Sequence, residues 1–177
     1  NDTVQNNLNL MGNHQHNYDY MITFDGNASE NQYKHLSYIG GVTDSEFEMT
    51  TGVKFYTDDK FESAYLSVAE DEISLKLMEV YGGSTEKLPQ KGIILSEDIA
   101  ETLEVSPGDT IKMKFPGSNK YYEAYIEKLT DNSNSYVGRS YWRSLGQSFS
   151  PTAAYIKTDG TDMEKKLDSL DYIKNYQ

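Results

Sequence analysis

Few side chains in this 177-residue chain are spaced for chemistry. His14-Gln15-His16 is its closely spaced histidine pair, and two imidazoles one residue apart can chelate a metal from a strand. Here they sit in a polar stretch with no third ligand in view, so no metal site is expected. His35 has neither a nucleophile nor an orienting carboxylate attached to it in sequence. Asp131-Asn132-Ser133-Asn134-Ser135 resembles a calcium loop superficially. Its sixth place is Tyr136 where Gly is required, and its twelfth is Trp142 where Glu is required. Gly40-Gly41 and Gly82-Gly83 lack the Gly-Lys-Ser/Thr of a phosphate loop. Asn27-Ala28-Ser29 is formally a glycosylation sequon that coincides with a helix start. Asp58-Asp59 and Glu70-Asp71-Glu72 supply neighbouring carboxylates, the equipment of glycoside hydrolysis, and equally the equipment of a solvated face. Tyr136, Tyr141, Trp142 and Phe149 read either as a recognition surface or as the apolar face of a core helix. No catalytic, cofactor-binding or metal-ligating residue is assigned.

The elements that would hold such groups are organised by a repeat. Ile22-Thr23-Phe24-Asp25-Gly26 leads through Asn27 and Glu30 to Leu36-Ser37-Tyr38-Ile39. Ile156-Lys157-Thr158-Asp159-Gly160 leads through Thr161 and Glu164 to Leu170-Asp171-Tyr172-Ile173. Seven of eighteen positions are identical at a constant offset. Each copy reads as a strand, an Asp-Gly turn and a short helix. Asn27 and Thr161 are the expected N-caps, with Glu30 and Glu164 closing capping boxes. Tyr33 with Leu36, and Leu167 with Leu170, form the inner faces.

Around the repeat, Tyr18 to Phe24 alternates as a half-buried strand. Val42 to Tyr56 reads as two short strands broken at Thr50-Thr51-Gly52, and Phe61 to Ala69 as another strand. Ile73 to Tyr81 reads as a short helix or irregular segment and Gly82-Gly83-Ser84 as a linker. Gly92 to Leu95 is a buried strand, followed by a helix capped by Ser96 with Ile99, Ala100 and Leu103 inside. Ser106-Pro107-Gly108-Asp109 is a turn. Ile111, Met113 and Phe115 alternate as a strand that pairs with Tyr121 to Leu129. Tyr136 to Phe149 reads as a helix, and Ala153 to Lys157 as the second repeat's strand. The fold class is α+β: a split domain, 18–69 with 136–177, built from two strand–helix–strand halves in a ferredoxin-like layout. A small α/β insertion, 70–135, lies between the halves. Residues 1–17, with Val4, Leu8 and Met11, form a helical or disordered lead-in.

The net charge of −12 and pI of about 4.6 exclude a nucleic-acid surface and a polybasic membrane anchor. No cysteine is present, which excludes disulfides and thiolate metal sites. No apolar run approaches the roughly 18 residues of a membrane helix. Tyrosine is abundant, at 15 residues.

Residues Gly92-Ile93-Ile94-Leu95-Ser96-Glu97-Asp98-Ile99-Ala100-Glu101-Thr102-Leu103-Glu104-Val105-Ser106-Pro107-Gly108-Asp109-Thr110-Ile111 carry a family pattern. It consists of an apolar strand, a helix with an Ala-x-x-Leu core, Gly-Asp and an alternating strand. Tyr18-Asp19-Tyr20 and Gly40-Gly41-Val42 add to it. In these stretches the chain resembles the extracytoplasmic domain of MacB/FtsX-like ABC-transporter permeases. The resemblance implies a porter-like part interrupted by a Sabre-like insertion, held between two membrane helices on the outer face of the cell membrane. It implies no catalysis and no cofactor. The implied partners are a cytoplasmic ATPase subunit, a second permease subunit, and a peptide, antibiotic or lipoprotein substrate or an accessory protein. The Asn-, Lys- and Tyr-rich composition points to a low-GC Gram-positive source. Two other readings stand beside it: a free-standing extracellular binding module using the Tyr/Trp surface, and a small hydrolase.

Overall fold

The computed structural model describes residues 17–177, so the lead-in helix and the His14/His16 pair lie outside the described residues. In chain order the elements are β1 (Tyr20–Phe24), α1 (Glu30–Ser37), β2 (Val42–Tyr56), β3 (Phe61–Ala69), β4 (Met78–Val80), β5 (Gly83–Thr85), β6 (Ile93–Ser96), α2 (Glu97–Leu103), β7 (Thr110–Lys114), β8 (Tyr122–Thr130), β9 (Ser135–Gly138), α3 (Arg139–Ser144), β10 (Ala153–Thr158), α4 (Glu164–Asp168) and β11 (Ile173–Tyr176). The chain is α+β, with extensive mixed pairing of strands and short helices. Packing divides it into two compact units. One holds the chain through Glu48, Ile73–Met78 and Ser150–Gln177. The other holds Met49–Glu72 and Glu79–Phe149.

The first unit contains both copies of the repeat. Its strands run in the order β11-β1-β10-β2, all antiparallel. The repeat carries Met21 onto Tyr155, and these two residues face each other across β1 and β10. A pseudo-two-fold axis therefore passes between them. The repeated Ile22 and Ile156 are fully buried. Both helices begin at the repeated glutamate, Glu30 and Glu164.

The caps differ from the sequence expectation. Ser29, not Asn27, caps α1: its hydroxyl accepts from Gln32 N–H at 3.3 Å, and Gln32 Oε1 accepts from Ser29 N–H at 2.9 Å. Asn27 and Ala28 are still in the connecting chain, donating to the carbonyls of Ser150 and Pro151. Glu30 instead pairs with Lys34. At α4, Asp162 accepts from Glu164 N–H at 3.0 Å, while Thr161 N–H donates back to Asp159. In both copies the turn after Asp-Gly is longer than a minimal one, so the cap slides along the chain. Gly41, at φ +102°, lies where a Cβ would meet Met163 Sδ at 2.8 Å, so this step needs glycine for close approach as well as conformation.

Tyr176 ties β11 to α4, its hydroxyl donating to Asp168 Oδ1 at 2.7 Å. The carboxylate holds the phenol neutral and pushes its pKa up to about 12. A raised phenol pKa stabilises the fold below the ordinary value of about 10 and loses that contribution as pH climbs through the folded value. Tyr176→Phe is expected to halve the most alkaline part of the phenolate absorbance titration, which Tyr81, also pushed up to about 12, shares, and to flatten the loss of stability over that window.

The second unit is a closed barrel. Around it run β2, β3, β9, β6, β8 and β7, and β7 returns to pair with β2. The β3–β9 and β6–β8 pairs are parallel, and the others are antiparallel. Val53, Phe55, Leu66, Val68, Met113 and Ile126 point into its core, which also takes Ile99, Ala100 and Leu103 from α2 and Tyr141 and Trp142 from α3. Closure leaves no open edge among these six strands.

Several expectations change here. β2 is one strand of fifteen residues, not two. Thr50, Thr51 and Gly52 stay in register with Ser67, Leu66 and Tyr65 of β3. Gly52 marks close approach to the Pro116 ring rather than a break. Because β2 is so long, its first part serves the first unit and its second part the barrel. Residues 49–69 and 136–149, grouped by sequence with the flanking halves, therefore pack with the barrel. Ser135–Gly138 is a strand, not the start of a helix, because β9 fills the gap between β3 and β6. Tyr81-Gly82 is the turn between β4 and β5 and Gly83 opens β5, so this stretch is not a linker; both glycines are at positive φ.

Asp71 organises the start of α3. Its carboxylate accepts from Ser140 N–H at 2.9 Å and from Ser140 Oγ–H. A Cβ on Gly138 would meet Asp71 Oδ1 at 2.8 Å and Leu88 Cβ at 3.0 Å. Gly138→Ala is expected to destabilise the barrel by about 2 kcal/mol through overpacking, read as a lower urea midpoint with an unchanged slope.

Candidate binding surface

Most of the sequence candidates for chemistry among the described residues are engaged in holding the fold. Glu70 pairs with Arg139 at 2.9 Å, Asp71 caps α3, and Glu72 lies 3.9 Å from Lys87. Asp58 and Asp59 sit in the β2–β3 turn, where Thr57 Oγ1 donates to Asp59. His35 is exposed, with Nδ1 2.7 Å from the Tyr172 hydroxyl. In the Asp131–Ser135 loop, Asn134 donates to Ser67 Oγ and Asn132 N–H to Thr130 Oγ1. Among the described residues no three acidic or histidine side chains gather as a metal site.

The aromatic group divides in favour of the core. Tyr136, Tyr141 and Trp142 are buried, and Trp142 meets Phe115 edge-on at 4.9 Å. Phe149 packs on the same core, beneath the Arg139 guanidinium 4.1 Å from its ring. They are not a recognition surface.

The aromatics that do face solvent are others. On the barrel wall, pleating sends Val53 and Phe55 inward and Lys54 and Tyr56 outward. Opposite them on β3, Phe61, Ser63 and Tyr65 face out, Phe61 and Tyr65 being 60% and 64% exposed. On the other side, Lys112 and Lys114 of β7 pair with Tyr56 and Lys54. Tyr121 closes the patch, stacked edge-on against Tyr56 at 5.2 Å, and Tyr56 also meets Phe61 at 5.7 Å. A groove of about 660 Å³ runs beside it, with Lys54, Tyr65 and Lys114 on its sides and Ala64, Phe115 and Pro116 among its apolar lining.

Sequence reasoning did not single out this surface. The signal was present in β3, whose outward Phe61 and Tyr65 alternate with inward Ala64 and Leu66. A strand apolar on both faces in an acidic chain has one face to explain.

No family model matches this sequence, and no curated protein matches it. Solved structures do. The periplasmic region of MacB from Actinobacillus actinomycetemcomitans superposes with a TM-score of 0.53 at 13% identity, covering 86% of this chain and 80% of that one. The extracellular domain of the noncanonic ABC-type transporter YknZ from Gram-positive bacteria gives 0.55 at 14% identity, covering 89% of this chain and 98% of that one. A domain of a putative permease protein from Porphyromonas gingivalis gives 0.57 at 15% identity, covering 85% and 80%. The mixed α+β fold is thus that of a MacB/FtsX-like extracytoplasmic domain.

Proposed function

We propose that this chain is the extracytoplasmic domain of an ABC-transporter permease. It makes no bonds of its own. It carries motion of the membrane helices to a substrate or accessory protein outside the cell membrane, with ATP hydrolysis supplied by a cytoplasmic subunit and a second permease subunit alongside. The observation that carries this reading is the fold-wide likeness to the YknZ extracellular domain, which spans nearly all of both chains. The strand order β11-β1-β10-β2 with one helix per repeat supports a ferredoxin-like, porter-like part, and the barrel is the counterpart of the Sabre-like insertion. Met21 and Gln177 exchange both main-chain hydrogen bonds, at 2.9 and 3.0 Å. Residues 21 and 177 thus lie side by side in the first unit. No helix among the described residues is long and apolar enough to cross a membrane.

Tyr38 is 86% exposed, and the 177 residues contain no cysteine. In cells making the natural protein, Tyr38→Cys is expected to react with a membrane-impermeant maleimide before lysis. Reaction only after lysis would place the domain on the wrong side of the membrane and contradict the proposal.

A further inference from the structure

Lys54 and Lys114 are direct cross-strand partners on β2 and β7. Like charges directly opposite one another destabilise a strand pair. Among the described residues, neither has a carboxylate within ion-pair distance, although the chain carries an excess of twelve negative charges. Lys60 differs: it is bound to Glu104 at 3.0 Å. The two ammonium groups lie against aromatic rings instead, Lys54 Nζ 5.2 Å from Phe61 and Lys114 Nζ 5.8 Å from Tyr121. The rings offset part of the repulsion and hold both cations at the rim of the groove.

We infer that this groove binds an acidic peptide segment of a partner protein, with carboxylates on Lys54 and Lys114 and one apolar side chain against Ala64, Phe115 and Pro116. Three observations select that occupant. The paired lysines favour an anion. The lining sets Ala64, Phe115 and Pro116 beside the polar Ser63, Ser118 and Asn119, a mixture that suits an aliphatic or aromatic side chain carried on a polar peptide backbone. The main-chain groups of β2 from Lys54 to Tyr56 are already paired with β3 on one side and β7 on the other, so the peptide does not add as a strand and side chains do the recognition. The exposed Tyr65 covers the apolar anchor from the side. This inference goes beyond the transporter reading and does not depend on it.

The test uses the full 177-residue chain and a fluorescein-labelled Glu-Asp-Phe-Leu-Asp-Glu hexapeptide, with its Gln-Asn-Phe-Leu-Asn-Gln counterpart as the neutral control. Anisotropy is expected to show binding of the acidic peptide only. Affinity should fall about tenfold or more in the Lys54→Glu, Lys114→Glu double variant, and fall again as salt rises from about 0.05 to 0.5 M. Lys165→Glu, an exposed reversal on α4, should leave it unchanged. Tyr65→Ser should weaken the peptide without changing the salt slope. Near-ultraviolet circular dichroism of Trp142 verifies that each variant is folded. The inference is overturned if the folded wild-type chain binds neither peptide, or if Lys165→Glu weakens binding as much as the groove variant. It is also overturned if the chain prefers phosphatidylglycerol vesicles to the acidic peptide.

Discussion

Replacing Glu46 by alanine is expected to cost the first unit about 3 kcal/mol, or roughly 10 °C in its thermal midpoint. Glu46 is 7% exposed. One carboxylate oxygen accepts from Ser74 N–H at 2.5 Å and Leu75 N–H at 2.9 Å, and also from the Ser74 hydroxyl at 3.3 Å. The other accepts from Lys76 N–H at 3.2 Å. Three consecutive amides thus close on a single carboxylate, holding the strap Ile73–Met78 to the unit. The strap is fixed further by Lys76, which pairs with Glu48 at 3.3 Å and lies 5.0 Å from the Tyr155 ring. Alanine leaves the buried Leu75 amide without an acceptor and the part-buried Ser74 and Lys76 amides to find water, and this orphaning accounts for most of the expected loss. Glu46→Gln retains one good acceptor, so it should lose about half as much. Differential scanning calorimetry of the two variants separates these outcomes, and equal effects would show that the amides find other acceptors.

Replacing Phe55 by alanine is expected to cost the second unit about 4 kcal/mol. Its ring is fully buried on β2, in the middle of a barrel wall bonded on both sides. A wall closed into a barrel has little freedom to collapse into the space left behind, which puts the loss at the upper end for a large-to-small change. The single tryptophan, Trp142, packs in the same core and reports the transition by its fluorescence. A shift in midpoint at constant slope is expected. A loss below about 1 kcal/mol would mean that the wall relaxes and that the barrel is not closed around a packed interior.

What could be read from the sequence was local. The repeat located two strand–turn–helix units, although each helix starts two residues later than its expected cap implied, at Glu30 and Glu164. The alternation of Ile111, Met113 and Phe115 located β7, and the apolar run at 93–95 located β6. The misread parts depend on distant partners. Ser135–Gly138 is a strand only because β3 and β6 leave a place between them, and nothing within the segment signals that. Thr50-Thr51-Gly52 has the composition of a break, yet its pairing with β3 carries the strand through. Glu46 and Glu48 carry no local signal of the strap nearly thirty residues later that covers them. The lysine pair is legible only in the register of β2 with β7, since Lys54 and Lys114 are sixty residues apart in the chain. The aromatic group around Trp142 was open between surface and core because a short helix can present either face. Burial against Phe115 decides for the core.

Two repeated half-units meet at Met21 and Tyr155. Phe24 N–H donates to the Thr152 carbonyl, while Met21 and Gln177 exchange bonds on the opposite side of β1. Met21 and Tyr155 are therefore a non-hydrogen-bonded pair, with Cα atoms about 4.5 Å apart, close enough for a disulfide. The chain has no cysteine to compete. Under mild oxidation at high dilution, the Met21→Cys, Tyr155→Cys variant is expected to form an intramolecular disulfide in nearly every molecule, seen as a faster-migrating monomer. A variant with Cys at 21 and at the exposed Lys165 should stay reduced. Free thiols at 21 and 155, or disulfides only between chains, would show that the two halves do not join at this axis.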